Sequence, residues 1–150
     1  MPHLTEIIKN KTKFWKTKTT ISNDISNFDK YFDEVFVSVT CSGTATLEIA
    51  KRNIPQIIIY KLNYLTELIL KLFVKVKRAC ILNIVSNEII IPEIVNSNLT
   101  KNNIINSFKK LIDDKQFRDN QIININKNLF KIESDISPYE ISAKRINSLI

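Results

Sequence analysis

The residues best suited to chemistry form one short run, Ser42-Gly43-Thr44-Ala45-Thr46-Leu47-Glu48. It follows the apolar, β-branched stretch Val35-Phe36-Val37-Ser38-Val39-Thr40-Cys41 and holds the only glycine of the chain. A buried strand that ends in Ser-Gly-Thr and turns at once into helix formers delivers a helix N-terminus to the carboxyl end of a sheet. At such an end the first N–H groups have no intrahelical partner, the helix dipole is positive, and a glycine lets a ligand approach the backbone. The chemistry this suits is binding of phosphate. Thr44 and Glu48 are four apart and share one side of the helix, so a hydroxyl near the phosphates and a carboxylate one turn on could hold a diphosphate and the ribose hydroxyls of a nucleotide. Taken alone, the same residues also make an ordinary N-cap, and Glu48 also suits the positive end of its helix.

The rest of the composition narrows the chemistry further. His3 is the only histidine and lies near the start of the chain, which removes histidine triads, a histidine base and clustered metal ligands, so no metal and no cofactor is expected. Cys41 and Cys80 stand at the ends of two separate apolar runs and read as buried free thiols in a reducing compartment, the cytoplasm. The net charge of +7 favours anionic partners, although the heavy use of Ile, Asn and Lys also has the look of A+T-rich codons. Arginines are few and dispersed and no aromatic-basic signature is present, so nucleic acid is not an expected partner. No apolar run approaches the ~20 residues that span a bilayer.

These residues must be positioned by alternating helices and strands. Leu4, Ile7, Ile8 and Trp15 lie at helical spacing in residues 4–16, and Lys18 to Ser22 alternates like a short strand. Asp24 caps a second helix with Ile25, Phe28, Tyr31 and Phe32 on one face and Asp29, Lys30 and Asp33 outward. A strand over 35–41 and a helix over 43–53, closed by Asn53, lead to Ile57-Ile58-Ile59-Tyr60, a run typical of a parallel strand covered on both faces. A helix over 64–76, a short strand from Ala79 to Leu82 and an irregular Ile-rich stretch to about Asn96 follow. Beyond Thr100, Ile104, Ile105, Phe108, Leu111 and Ile112 form one apolar stripe, and a further helix covers 115–130. Pro138 opens a last helix whose Ile141, Ala143, Ile146, Leu149 and Ile150 either pack on the domain or fray. The Asn-rich segments 96–106 and 120–128 read as polar helix faces and loops. No repeat or linker divides the chain.

At Ser42 to Glu48, then Ile54-Pro55-Gln56, Tyr60-Lys61-Leu62-Asn63, Leu65-Thr66, Lys71 to Lys77, Asn83 and Pro92-Glu93, the chain resembles the lipid-A-disaccharide synthase family in both order and spacing. The opening Pro2-His3-Leu4 and the helix after Ser137-Pro138 extend the resemblance over essentially all 150 residues. It implies an α/β fold, an incomplete Rossmann-like parallel sheet with a helical carboxyl end, corresponding to the carboxyl-terminal, nucleotide-sugar half of a two-Rossmann-domain glycosyltransferase. The family moves 2,3-diacylglucosamine from its UDP carrier to 2,3-diacylglucosamine 1-phosphate and releases UDP. On that resemblance the N–H groups from Ser42 through Gly43, Thr44 and Ala45 to Thr46 receive the diphosphate and Glu48 takes the ribose hydroxyls. Asn83 lies near the donor sugar or diphosphate, and Glu93 braces that loop. Asn83 also suits a simple turn, and Lys61 suits either a phosphate contact or a solvated strand end. No residue is assigned as catalytic.

Residues 61–78 mix Leu65, Leu68, Leu72 and Phe73 with Lys71, Lys75, Lys77 and Arg78, which fits an anionic inner-membrane surface as well as a helix packed on the sheet. The acylated substrates of the family agree with a peripheral position on that membrane. Two departures stand out. Many relatives carry Ala-Gly-Arg where this chain has Ser86-Asn87-Glu88, so a phosphate-facing cation is replaced by a carboxylate that either turns away or weakens donor binding. The resemblance also implies that the first strand of the nucleotide domain and the whole amino-terminal acceptor domain have no counterpart here. A complementing amino-terminal polypeptide, or self-association at the open sheet edge, is then expected. A non-catalytic remnant that binds UDP or anionic membrane is the alternative.

Overall fold

Ile57 and Ile58 are adjacent, wholly buried, and packed into different clusters, because successive side chains of a strand leave opposite faces of the sheet. That single fact organises the fold. The computed structural model describes residues 2–22, 28–41, 43–63, 78–133 and 136–149, which fall into two units, Met1–Val35 and Phe36–Ile150. The first contains α1 (Pro2–Thr12) and α2 (Phe28–Phe32). Leu4, Ile7, Ile8 and Trp15 are exposed, as are Asp29, Lys30 and Asp33.

The second unit runs β1 (Ser38–Thr40), α3 (Thr44–Lys51), β2 (Gln56–Tyr60), α4 (Ile81–Ser86), β3 (Glu93–Val95), a 3-10 turn (Asn96–Asn98), α5 (Lys101–Asp113), α6 (Lys115–Leu129) and α7 (Pro138–Asn147). The strands lie in the order β1-β2-β3, all parallel. On one face Ile58 meets Ala50 of α3, Leu82 of α4, Ile91, and Ile125 and Leu129 of α6. On the other, Ile57 and Ile94 meet Leu111 of α5, with Ile104, Phe108 and Phe117 around them. Each fully buried isoleucine contributes ~1.5–3 kcal/mol relative to exposure, and a strand apolar on both faces is what a helix-covered parallel sheet requires. The result is the mixed α/β architecture expected, part of a Rossmann-like fold with a helical carboxyl end. No helix among the described residues is long and apolar enough to cross a membrane.

Asn53 closes α3 as its spacing suggests. It adopts φ 56°, its N–H donates to the Ala50 carbonyl at 3.0 Å, and the Ile54 N–H donates to the Ile49 carbonyl at 3.3 Å. This is a Schellman closure with asparagine in the left-handed position.

Several expectations need correction. Residues 18–22 form no strand, and the strand expected over 35–41 is confined to Ser38–Thr40. Ala79 to Leu82 does not form a strand: Ile81 onward is the helix α4, and the strand lies in the stretch read as irregular, at Glu93–Val95. A four-residue apolar run carries no period long enough to separate the two. Cys41 is exposed, not buried, while Cys80 is buried, and both are free thiols. Ile141, Ala143 and Ile146 of α7, and Leu149 beyond its end, are exposed rather than packed, and Ile150 lies outside the described residues. Gln121 and Asn128 of α6 are buried, so segment 120–128 is not simply a polar face. The helix expected over 64–76 and the Asp24 cap, with Ile25, lie outside the described residues.

Candidate functional site

The turn between β1 and α3 is shaped by one residue. Gly43, the N-cap of α3, has φ 146° and ψ −159°, the mirror image of an extended strand residue and a region essentially reserved for glycine. A Cβ at Gly43 would meet nothing within 4 Å, so the backbone there borders open space. Gly43 has no side chain with which to cap α3, and the first turn of the helix holds no acidic residue. No side chain of the cap or of the first turn therefore offsets the positive dipole end of the helix. The Thr46 N–H closes back on the Gly43 carbonyl at 3.2 Å.

Around this turn the side chains divide in two. Thr44, Ala45 and Glu48 are exposed, and Thr44 and Glu48 lie one helical turn apart on one side of α3. Thr46 is buried and its hydroxyl donates to the Cys41 carbonyl at 3.3 Å, which ties the helix to the strand end. Ser42 lies outside the described residues.

Behind the turn stands a buried polar network that pattern reading missed. The Gln56 carboxamide accepts from the Thr40 hydroxyl at 3.1 Å and donates to the Thr46 carbonyl at 3.0 Å. The Gln121 carboxamide of α6 accepts from the Gln56 N–H at 2.8 Å and donates to the Gln56 carbonyl at 3.0 Å and the Ile90 carbonyl at 3.3 Å. On β2 the Ile58 N–H donates to the Pro92 carbonyl beside β3, so alternate residues aim their amides that way. At Gln56, one step before β3 begins, the Gln121 side chain takes the place of a strand. The available signal was a glutamine on the buried stripe Gln121, Ile125, Leu129: a polar side chain on an apolar stripe must find partners.

Asn83 and Glu93 form a second network. Asn83 lies inside α4 and is fully buried. Its amide donates to the Ile91 carbonyl at 2.7 Å and to Glu93 Oε1 at 2.6 Å, and its oxygen accepts from the N–H groups of Ile90 and Ile91, both at 2.9 Å. All four hydrogen-bonding positions of the side chain are therefore occupied. Glu93 also accepts from the N–H of Ala79 at 2.7 Å and of Cys80 at 3.0 Å, fixing the entry to α4. Burial pushes the Cys80 thiol pKa up from its ordinary 9.0.

Sheet register relates the two networks. Thr40 pairs with Ile58 and Ile58 with Glu93, so the three leave the same face in one row, with Thr40 and Glu93 about 10 Å apart across two strand spacings. Because the strands are parallel, the Gly43 turn, Lys61 and Asn96 all follow carboxyl strand ends, where open α/β sheets bind ligands. Lys61 is exposed, and the neighbouring Leu62 N–H donates to Asn96 Oδ1 at 2.9 Å. Glu88 is exposed, beside Asn87, whose side-chain and backbone oxygens accept from the Arg78 guanidinium at 2.8 and 2.9 Å. Leu65, Leu68, Lys71, Leu72, Phe73 and Lys75 lie outside the described residues.

Comparison with known proteins identifies the family. The family model of lipid-A-disaccharide synthetase matches residues 2–146. A lipid-A-disaccharide synthase of Rickettsia typhi is 39% identical over 107 residues, 70% of this chain and 28% of that protein. One from Rickettsia bellii is 37% identical over 107 residues, and one from Gluconobacter oxydans is 26% identical over 150 residues, 99% of this chain and 36% of that protein. The chain thus spans between about a quarter and a little over a third of the length of these relatives. With the strand-turn-helix around Gly43 and a match running over almost its whole length, the chain belongs to the lipid-A-disaccharide synthetase family.

Proposed function

We propose that this chain is the nucleotide-sugar-binding part of a lipid-A-disaccharide synthase, a glycosyltransferase that transfers 2,3-diacylglucosamine from UDP to 2,3-diacylglucosamine 1-phosphate in lipid A biosynthesis. The observation that carries the reading is the Gly43 turn, an open, positively polarised helix start at a carboxyl strand end. The N–H groups of the turn and of Thr44 and Ala45 receive the diphosphate, and preorganised donors of this kind stabilise a leaving UDP without a metal. Glu48 accepts from the ribose hydroxyls. Asn83, its own hydrogen bonds all used within the chain, acts with Glu93 by shaping the neighbouring backbone rather than by touching the sugar. Lys61 is a further candidate for phosphate contact.

Residues 1–150 are read as one nucleotide-sugar domain. The relatives extend well beyond the stretch that this chain matches, and transfer needs an acceptor site as well as the donor site proposed here. Binding of UDP or of an anionic membrane without transfer is the activity proposed for the chain by itself. The basic, apolar segment 61–78 and the net charge of +7 support peripheral attachment to the cytoplasmic face of the inner membrane. Calorimetric titration of UDP tests the site. Glu48→Ala should weaken binding about tenfold, the loss of a charge-assisted hydrogen bond of ~1.5 kcal/mol, and Gly43→Val should abolish it. Equal heats for all three proteins would sink the proposal.

A further inference from the structure

Gln56 and Gln121 are 0% and 3% exposed, and burying a carboxamide is costly unless it is fully hydrogen-bonded. An apolar side chain would fill the same volume at no such cost. What a carboxamide adds is direction, and every bond Gln56 makes through its side chain is directed at one flank of the Gly43 turn. Its oxygen holds Thr40, the last residue of β1, and its nitrogen holds the carbonyl of Thr46, in the first turn of α3. The Thr46 hydroxyl adds a third tie, to Cys41. The turn is thus bracketed on both sides, and Gln121 fixes the bracket by pairing with both backbone groups of Gln56.

We propose that Gln56 is a positioning residue for the Gly43 turn, held in place by Gln121, and that this bracket keeps the turn's N–H groups aimed at a nucleoside diphosphate before it arrives. The step from turn geometry to nucleotide affinity rests on the reading of the turn as the UDP site. Donors fixed in advance bind more tightly, because less ordering is left to the binding event. A merely structural Gln56 would affect stability but not the turn.

The experiment compares wild type, Gln56→Met, Thr40→Val and the double variant, with Leu129→Ala, at the carboxyl end of α6, as a core control that makes none of the bracket's hydrogen bonds. Each is measured by thermal unfolding, by the amide chemical shifts of Gly43, Thr44 and Ala45 without ligand, and by calorimetric titration with UDP. Gln56→Met should move those three amides and raise the UDP Kd about tenfold, ~1.4 kcal/mol. The double variant should be no weaker than Gln56→Met, since both changes cut the same tie. Leu129→Ala should lower the melting temperature while leaving the amides and the Kd in place. Should Gln56→Met not fold, Thr40→Val, which keeps the volume, carries the same test with a smaller shift. Unmoved amides in the folded variants overturn the proposal, as does a Kd that tracks melting temperature across all variants. If wild type binds no UDP, the nucleotide reading fails, and the ligand-free amide shifts still decide the role of Gln56.

Discussion

Replacing Gly43 by alanine isolates one physical cause. The residue sits at φ 146° and ψ −159°, and nothing lies within 4 Å of an added Cβ. The methyl group therefore meets no neighbour, and the whole penalty comes from forcing an L-residue into a glycine-only conformation. Such strain costs on the order of 1–3 kcal/mol, offset by ~0.4–1 kcal/mol from the stiffer unfolded chain. A net loss of about 1–2 kcal/mol should lower the melting temperature by roughly 2–8 °C for a domain of this size. The chain can escape by relaxing the introduced alanine to negative φ, but the turn's N–H groups then swing away and UDP affinity falls. Thermal unfolding and UDP calorimetry on the same samples read both branches. Asparagine should not rescue: Asn53, Asn87 and Asn96 take φ of 56°, 57° and 50°, the left-handed well that asparagine tolerates, far from 146°. A Gly43→Ala protein with unchanged melting temperature and unchanged UDP affinity would refute the reasoning.

Glu93→Gln should cost about 1–3 kcal/mol in urea unfolding, because one carboxylate serves the N–H groups of Ala79 and Cys80 and the Asn83 amide, and a glutamine would turn an NH₂ toward a donor. Stability unaltered by this change would count against the bracing geometry. The two thiols should separate kinetically: an aromatic disulfide reagent at neutral pH modifies exposed Cys41 quickly and buried Cys80 only on unfolding, and equal rates would contradict their placement. The Cys80 pKa is raised above 9.0 in the folded chain, so the unfolded thiol loses its proton first. Its contribution to stability is complete below pH 9.0 and is lost as pH rises through the folded value. Urea midpoints measured upward from about pH 8, below the ordinary thiol range, should fall less in Cys80→Ala than in wild type.

Whatever rests on local chain properties could be read from residue order. The strand-turn-helix at Ser42 to Glu48 declares itself through a lone glycine between a β-branched run and helix formers. The Asn53 closure and the Pro138 start of α7 follow from backbone preference, and the 3.6-residue period holds for Ile104, Phe108 and Leu111 of α5, while Ile105 and Ile112 of the expected stripe are exposed. The linked motifs were enough to point to the family. What they could not supply was the assignment of the short run 79–82, because a few apolar residues suit a helix or a strand equally, nor the exposure of Cys41, which depends on what packs beside it. The polar interior was equally closed to pattern reading: Gln56 and Gln121 are 65 residues apart, and the Asn83 side chain spends its hydrogen bonds on partners seven to ten residues away. Local order placed a glycine-centred helix start in the chain; tertiary packing decided which buried amides hold it, because a buried polar group is defined by partners that only the folded chain brings within about 3 Å.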